Sequence, residues 1–183
     1  MPPPPFERET SVVGLEWWLD AHMGLASGLL WLAQLLETVP EGDAHAETVR
    51  HLAASTEAVR DALYELYCDA ADDRAVPLMG RGTPLERHVR DSYGWCVRVV
   101  GLLATVTNGL RSQARPDWII AKGEFRAATR HYPVALPGLR SAIQALPIDF
   151  SSPIEPLRNL PQDFDQLIAA TVELQTMLAK RFD

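Results

Sequence analysis

Apolar residues recur every three or four positions over long stretches of this chain, which is the period of an amphipathic α-helix. The pattern predicts four long helices, over residues 11–38, 43–71, 84–113 and 161–181, and no strand. Each helix should turn its apolar side toward a common core. The predicted core positions include Leu15, Leu19, Leu29, Leu36, Val49, Leu52, Val59, Leu63, Leu85, Val89, Cys96, Val99, Leu103, Val106, Leu110, Phe164, Leu167, Leu174 and Leu178.

Proline divides the chain into unequal parts. Seven of the fourteen prolines lie between residues 116 and 161, where the pattern predicts only short helices over 116–130 and 137–146. The expected fold is therefore all-α, with four long helices in an up-down bundle and a short two-helix, Pro-rich insertion before the last helix. Four consecutive prolines near the start predict a disordered tail over residues 1–9, followed by a single helical-bundle domain over residues 10–183.

Composition fits one globular domain, with 47% hydrophobic and 22% charged residues in 183. The net charge of −7 is unevenly placed: residues 1–49 carry eight acids and one base, whereas residues 81–140 carry ten bases and four acids. The favoured interpretation is that these segments neutralise one another within the bundle; the alternative is a basic face for phosphate or RNA. Because the overall isoelectric point is near 5.2, no DNA partner is expected.

The most apolar stretch, residues 21–36, is sixteen residues long and has no flanking Lys or Arg. Since a membrane-spanning helix needs about 20 apolar residues, no membrane association is expected. The first nine residues lack the apolar core of a secretory signal. Two isolated cysteines, Cys68 and Cys96, suit a reducing compartment, so the predicted location is the cytoplasm.

Residue spacings typical of metal and cofactor sites are missing from the sequence. No glutamate is followed by a histidine three residues later, and no two histidines are four residues apart. Those spacings place metal ligands on one side of a helix. Glycine-rich nucleotide loops are also absent from the sequence. We therefore expect neither a metal nor a cofactor.

Polar residues interrupt three of the predicted apolar stripes, at His22, Thr56 and Ser92. Buried polar groups need hydrogen-bond partners, so these three should form one internal cluster. The favoured interpretation is a structural network that fixes helix packing. The alternative is a small-molecule or metal-binding pocket around His22.

One catalytic pattern is present. Arg126 and His131 are separated by four residues, and Arg81 and His88 by six. This spacing resembles that of HEPN-type helical ribonucleases. The resemblance implies metal-independent cleavage of RNA, in which a 2′-hydroxyl attacks the phosphate, His acts as acid and base, and Arg steadies the phosphate. With fifteen arginines and five histidines such pairs also arise by chance. A ribonuclease using Arg126 and His131 is therefore an alternative hypothesis, and the one under which RNA is a partner.

The first helix carries a pattern typical of helix–helix contacts. Trp17 and Trp31 flank Gly24 and Gly28 on nearly the same side, so a second helix could approach there, within the protomer or across a homodimer. The leading hypothesis is a non-enzymatic helical protein–protein interaction module that self-associates through these residues. Two kinds of protein fit this description. One is an adaptor; the other is an antitoxin- or immunity-like binder, whose acidic first 49 residues would dock a basic partner.

Overall fold

The computed structural model describes residues 5–39, 42–71, 84–112, 118–145 and 155–179. Over these ranges the chain is helical apart from short turns and contains no strand, which confirms the all-α prediction. The helices are α1 (Pro5–Leu36), α2 (Asp43–Ala71), α3 (Pro84–Ser112), α4 (Trp118–Thr129), α5 (Tyr132–Gln144) and α6 (Glu155–Ala179).

The core is built from the apolar stripes that the periodicity predicts. Leu29 and Val59 have no exposed surface, and Leu174 has 1%. Burying one such side chain contributes about 1.5–3 kcal/mol relative to leaving it in water. The predicted core positions of α1, α2, α3 and α6 named above are all buried, and Phe125, Leu136, Leu139 and Ile143 of α4 and α5 join them.

Helix α1 packs against both α2 and α3, and α2 also packs against α6. The short helices α4 and α5 each contact α3 and α6, so they fill the space between those two long helices. The core is thus enclosed by short as well as long helices.

Helix α1 begins at Pro5, earlier than the predicted start at residue 11. Proline is tolerated in the first turn of a helix because the amide it lacks has no intrahelical acceptor there. Residues 5–9 are therefore helical, although an extended tail was expected. Residues 1–4 of that predicted tail lie outside the described residues.

The starts of α5 and α6 also precede the predicted ones, because the prediction places a proline at the first residue of each helix and the structure places that proline in the interior. Helix α5 begins at Tyr132, with Pro133 in its first turn and Pro137 in its interior. Helix α6 begins at Glu155 and contains Pro161 in its interior. Each interior proline removes one backbone hydrogen bond, and packing of the apolar side against the core offsets that loss. The predicted and observed bounds of α2 coincide.

A tight turn joins α1 to α2. The amide of Gly42 donates to the carbonyl of Val39 at 3.0 Å, and the amide of His45 donates to the carbonyl of Gly42 at 3.0 Å. A Cβ atom on Gly42 would lie 2.7 Å from the backbone oxygen of Leu36. Any larger residue must therefore push the turn away from the end of α1.

We expect Gly42→Ala to lower the free energy of unfolding by about 1–3 kcal/mol, the usual cost of overpacking. The matched control is Gly123→Ala, because a Cβ atom at this position of α4 would have no neighbour within 4 Å. There alanine should raise stability by up to about 1 kcal/mol through helix propensity. Urea denaturation of both variants checks the prediction; equal effects would contradict the proposed clash.

Candidate functional site

His22 is fully buried in the core and both nitrogens of its ring are hydrogen-bonded. Its Nδ1 lies 2.8 Å from the carbonyl oxygen of Trp18, and its Nε2 lies 2.7 Å from the hydroxyl of Tyr132. A carbonyl oxygen can only accept, so Nδ1 carries the proton and donates it. The Tyr132 hydroxyl then donates to Nε2. This pair of bonds joins α1 to the first turn of α5.

The bonded chain continues from His22 into α3. The ring of Trp18 stacks on the ring of His22 with 3.5 Å between centroids. Its indole nitrogen donates to the Oγ of Ser92 at 2.8 Å, and that hydroxyl donates to the carbonyl of His88 at 2.7 Å. We call Trp18, His22, Ser92 and Tyr132 the buried relay. It connects α1, α3 and α5 within the apolar core.

Burial keeps the buried relay uncharged. Loss of hydration lowers the pKa of His22 to about 3, although the hydrogen bond to the Trp18 carbonyl opposes this shift. Burial, followed by the nearby Cys96, raises the pKa of Tyr132 well above its usual value. Neither side chain changes charge near neutral pH. With both ring nitrogens bonded inside the core, His22 has no lone pair directed at solvent.

The sequence prediction for this cluster named His22, Thr56 and Ser92. Ser92 and His22 do lie in one network, but Trp18 joins them. The Thr56 hydroxyl instead donates to the carbonyl of Leu52 on its own helix at 2.8 Å. Trp18 and Tyr132 were not among the predicted site residues. Trp18 stands four residues before His22, so the spacing alone places the two rings together.

A cavity of about 10 Å³ lies beside the buried relay, and its walls come from all six described helices. Apolar groups line almost all of it. A volume of this size holds about one water molecule, whereas small-molecule sites typically enclose about 300–1,000 Å³. The cavity does not accommodate an organic ligand. Its lining residues include Leu25, Leu29, Leu52, Val99, Phe125 and Tyr132.

No group of three or more His, Cys, Asp or Glu side chains is placed to hold a metal within the described part of the chain. The five histidines, two of which are buried, are spread over three of the helices and one turn. Among the described residues, the hypothesis of a pocket around His22 is thus supported neither by a cavity large enough for a ligand nor by a cluster of metal ligands.

The residues of the ribonuclease hypothesis lie at the surface. Arg126, on α4, and His131, in the turn before α5, are both exposed. The His131 ring stacks on Trp95 with 4.6 Å between centroids, and the guanidinium of Arg98 lies 5.4 Å from the centre of that indole. Trp95 thus carries the imidazole of His131 and the guanidinium of Arg98 on one indole.

Two contacts between charged or titratable side chains join α6 to other helices. Arg140 of α5 pairs with Asp165, and His51 of α2 lies 3.5 Å from Glu173. Neither joins the acidic α1 and α2 to the basic segment of α3, α4 and α5. That these segments neutralise one another therefore stays a prediction.

The glycines predicted as an interface are used within the protomer. A Cβ atom on Gly28 would lie 3.3 Å from Leu103, and one on Gly24 would lie 3.8 Å from Val100. Both glycines therefore allow α3 to approach α1 closely. Of the two predicted possibilities, these glycines therefore make the helix contact within the protomer.

Trp17 and Trp31 lie at the two ends of this α1–α3 contact. Trp17 touches Tyr93 of α3, with 6.3 Å between ring centroids, and Arg111 lies 5.4 Å from the centre of the Trp31 ring. The indoles nevertheless remain 56% and 45% exposed, respectively. Side-chain contacts to α3 thus leave about half of each ring open.

One side of α1 remains uncovered and carries no charge between Asp20 and Glu37. Met23 and Trp31 are each 45% exposed there, and Leu30 is 41% exposed. Exposed large side chains of this kind usually mark contact surfaces when they are contiguous. No helix of the described ranges is both long and apolar enough to cross a bilayer. We define the outer face of α1 as Asp20, Met23, Ser27, Leu30, Trp31 and Gln34.

We predict that His22 makes stability depend on pH. In the unfolded chain its pKa is near 6.5, and folding lowers it to about 3. The unfolded state therefore takes up the proton first, so the contribution of His22 is complete above pH 6.5 and decreases as the pH falls toward 3. Between pH 7.5 and pH 5 the loss should be about 2 kcal/mol.

The matched variant is His22→Gln, because the glutamine amide does not titrate. Urea denaturation at pH 7.5, 6.0 and 5.0 should show a variant that is less stable at pH 7.5 but loses less stability on acidification. All other histidines are present in both proteins, so their effects cancel in the difference. Parallel losses in the two proteins would show that His22 does not determine the slope.

No protein-family model, curated protein or solved structure matches this chain. Its function is therefore inferred from its own side chains and their surroundings.

Proposed function

We propose that this protein is a non-enzymatic helical interaction module that self-associates through α1. The observation that carries the proposal is the outer face of α1, where Met23, Leu30 and Trp31 are exposed although the helix is otherwise packed into the core. A surface helix normally carries charged residues on its solvent side. Here the sixteen residues from 21 to 36 contain no Asp, Glu, Lys or Arg. A protein partner that covers this face accounts for that composition.

Contacts within the protomer leave this surface available. The glycines of α1 are already covered by α3, whereas Met23, Leu30 and Trp31 project on the uncovered side. Apolar burial stabilises association by roughly 25 cal/mol per Å² removed from water, before the entropic cost of binding. Tryptophan and methionine are the residue types enriched in protein interfaces. These features favour a protein partner over a small ligand.

We also propose how the chain is divided into domains and how its helices are arranged. We take residues 10–183 as one domain, an up-down bundle of α1, α2, α3 and α6 with the Pro-rich pair α4 and α5 before the last helix. The contacts of α1 with α2 support the antiparallel first step, because Glu16 lies 3.5 Å from the Tyr67 hydroxyl while Glu37 pairs with Arg50. We also propose a cytoplasmic location, which suits the free thiols of Cys68 and Cys96.

We expect the wild-type protein to exceed the monomer mass of 20.3 kDa in light scattering at micromolar concentration. Leu30→Glu and Met23→Glu should each return it toward the monomer mass, because a buried unpaired carboxylate opposes association. The matched control is Val134→Glu, at an α5 side chain that is 77% exposed. A wild-type protein that stays monomeric at all concentrations, or a control that dissociates equally, would rule out the outer face of α1 as the contact.

The ribonuclease hypothesis is the second candidate. Its support is the exposed imidazole of His131, which stacks on Trp95, the same indole that the Arg98 guanidinium covers. Arg126 and Arg130, which precede His131 in the sequence, are exposed as well. Such a site would cleave RNA without a metal, with His131 transferring protons.

This second candidate predicts cleavage of single-stranded RNA in the presence of a chelator, and loss of that cleavage in His131→Ala. The matched control is His51→Ala, since His51 is also exposed but lies on α2 beside Glu173. We expect no cleavage by the wild type if the interaction module is the correct function. Chelator-resistant cleavage that depends on His131 and not on His51 would establish the ribonuclease instead.

A further inference from the structure

We infer that α5 is a lid on the core, which detaches and unfolds locally while the other helices stay packed, and that the hydrogen bond from Tyr132 to His22 is its latch. Opening of the lid uncovers the thiol of Cys96 and the apolar cavity that Tyr132 helps to enclose. Local openings of this kind involve contiguous segments that few contacts hold in place. The outer face of α1 takes no part in this lid, so its test is separate from that of self-association.

Helix α5 keeps its shape through docking rather than through its own sequence. With 13 residues it falls in the length range in which an isolated helix is marginal in water. Pro137 removes a backbone hydrogen bond from its interior, and Gly138 follows directly; these are the two residue types least suited to that position. His131, the N-cap residue, makes no side-chain hydrogen bond to the first turn. An α5 that leaves the core should therefore lose its helical structure.

One side of α5 docks on the core, and the other side faces solvent. The docked side is formed by Tyr132, Leu136, Leu139 and Ile143, which are all buried. Val134, on the opposite side, is 77% exposed. Detachment therefore requires the loss of one apolar seam only.

Two polar contacts add to this apolar seam. Arg140 pairs with Asp165 of α6 at the surface, where ion pairs contribute little. The hydroxyl of Tyr132 instead donates to Nε2 of His22 at 2.7 Å, and both of these side chains are buried. Breaking a buried bond is unfavourable because the nitrogen left behind has no partner. The bond from Tyr132 to His22 is therefore the contact that most resists opening.

Helix α5 lies close against α3, where it covers a reactive group. A Cβ atom on Gly138 would lie 2.6 Å from Nδ1 of His88, so the glycine leaves room for that imidazole. Cys96 follows two turns later on α3 and has no exposed surface. Burial and, second, the nearness of this thiol raise the pKa of the Tyr132 hydroxyl. Cys96 therefore lies beside the first turn of α5 and reports on its position.

Acid should open the lid. With α5 docked, burial lowers the pKa of His22 to about 3, against the opposing effect of the hydrogen bond to the Trp18 carbonyl. When α5 leaves, Nε2 faces water and the pKa returns toward its usual 6.5. The open state therefore takes up a proton at a higher pH than the closed state. The open fraction is lowest above pH 6.5 and rises as the pH falls toward 3.

The neighbours of His22 from each adjoining helix add no charge within the described ranges. Tyr132 contacts it from α5, and Cys96 of α3 lies close to that hydroxyl; burial raises the pKa of both groups. Ser92, the other α3 member of the buried relay, does not titrate. Over residues 49–63 of α2, which also packs on α1, the buried side chains are apolar or carry hydroxyl groups. His22 is thus the member of this cluster that takes up a proton in mild acid.

Labelling of the Cys96 thiol measures the lid in the full-length chain. The background protein carries Cys68→Ser, because Cys68 is partly exposed. Dithiodipyridine is added to the folded protein, and each labelling rate is divided by that of the urea-unfolded protein at the same pH, so that thiol ionisation cancels. Tyr132→Phe keeps the ring and removes the latch. We expect it to raise this ratio by about 5- to 100-fold, the range for one buried acceptor left unpaired.

The matched control is Val59→Ala, at a fully buried position of α2. Helix α2 packs against α1 and α6, so this variant should unfold at lower urea while the docking of α5 is unchanged. Its labelling ratio should stay within about twofold of the background protein. An equal rise in Val59→Ala and Tyr132→Phe would show that Cys96 is reached only by global unfolding. That result, or an unchanged ratio in Tyr132→Phe, overturns the inference.

A pH series keeps the test available if Tyr132→Phe does not fold. Between pH 7.5 and pH 5.5 the labelling ratio of the background protein should rise by up to about tenfold, since opening takes up one proton. In His22→Gln the ratio should be higher at pH 7.5 and should no longer depend on pH. A flat ratio in the background protein, or a rise that persists in His22→Gln, would show that His22 does not hold the lid.

Discussion

The structure depends on covering α1, the helix that contacts both α2 and α3 and contributes several of the core's fully buried residues. Its apolar seam drives the assembly, because the hydrophobic effect is the main favourable term in folding. The same seam contains two side chains with polar atoms, Trp18 and His22. In a dry interior each such atom must find a partner, and an unpaired one costs about 1–3 kcal/mol. The partners come from α3 and α5, so covering α1 also fixes where those helices lie.

This requirement explains how the buried relay fixes the packing of the helices. The four hydrogen bonds that connect its side chains to one another and to the carbonyls of Trp18 and His88 are 2.7 or 2.8 Å long, and each joins groups with matched donor and acceptor roles. A fully satisfied network of this kind specifies one packing arrangement among several that apolar contacts alone would allow. The adjacent cavity is water-sized. The two sides of α1 therefore differ: its inward side fixes the fold, and its outward side carries exposed apolar side chains and no charge between Asp20 and Glu37.

The sequence predicts the local part of this structure well and the long-range part poorly. Heptad-like spacing identified the core side chains of the long helices, because burial of one face is written into the 3.6-residue period. The bounds of α5 and α6 were less accurate, since Pro137 and Pro161 lie inside helices whose tertiary packing outweighs the lost bond. His22 and Ser92 were recognised as buried polar residues, but their partners were not. Trp18 and Ser92 are 74 residues apart, and His22 and Tyr132 are 110 apart, so no local pattern relates them. Likewise, spacing identified Gly24 and Gly28 as a helix contact, while the choice of α3 as their neighbour required the three-dimensional arrangement.

The separation between His22 and Tyr132 has a consequence for the order of events on the ribosome. Chains are made from the N-terminus, so α1, α2 and α3 emerge before residue 132 exists. During that interval the imidazole nitrogen that later accepts from Tyr132 has only water as a partner, and α1 cannot be sealed on the side that α5 covers. Closing a loop of this length also has an entropic cost, which grows with the logarithm of its length. The nascent protein should therefore remain an open helical intermediate, suited to chaperone binding, until the Pro-rich segment has left the exit tunnel.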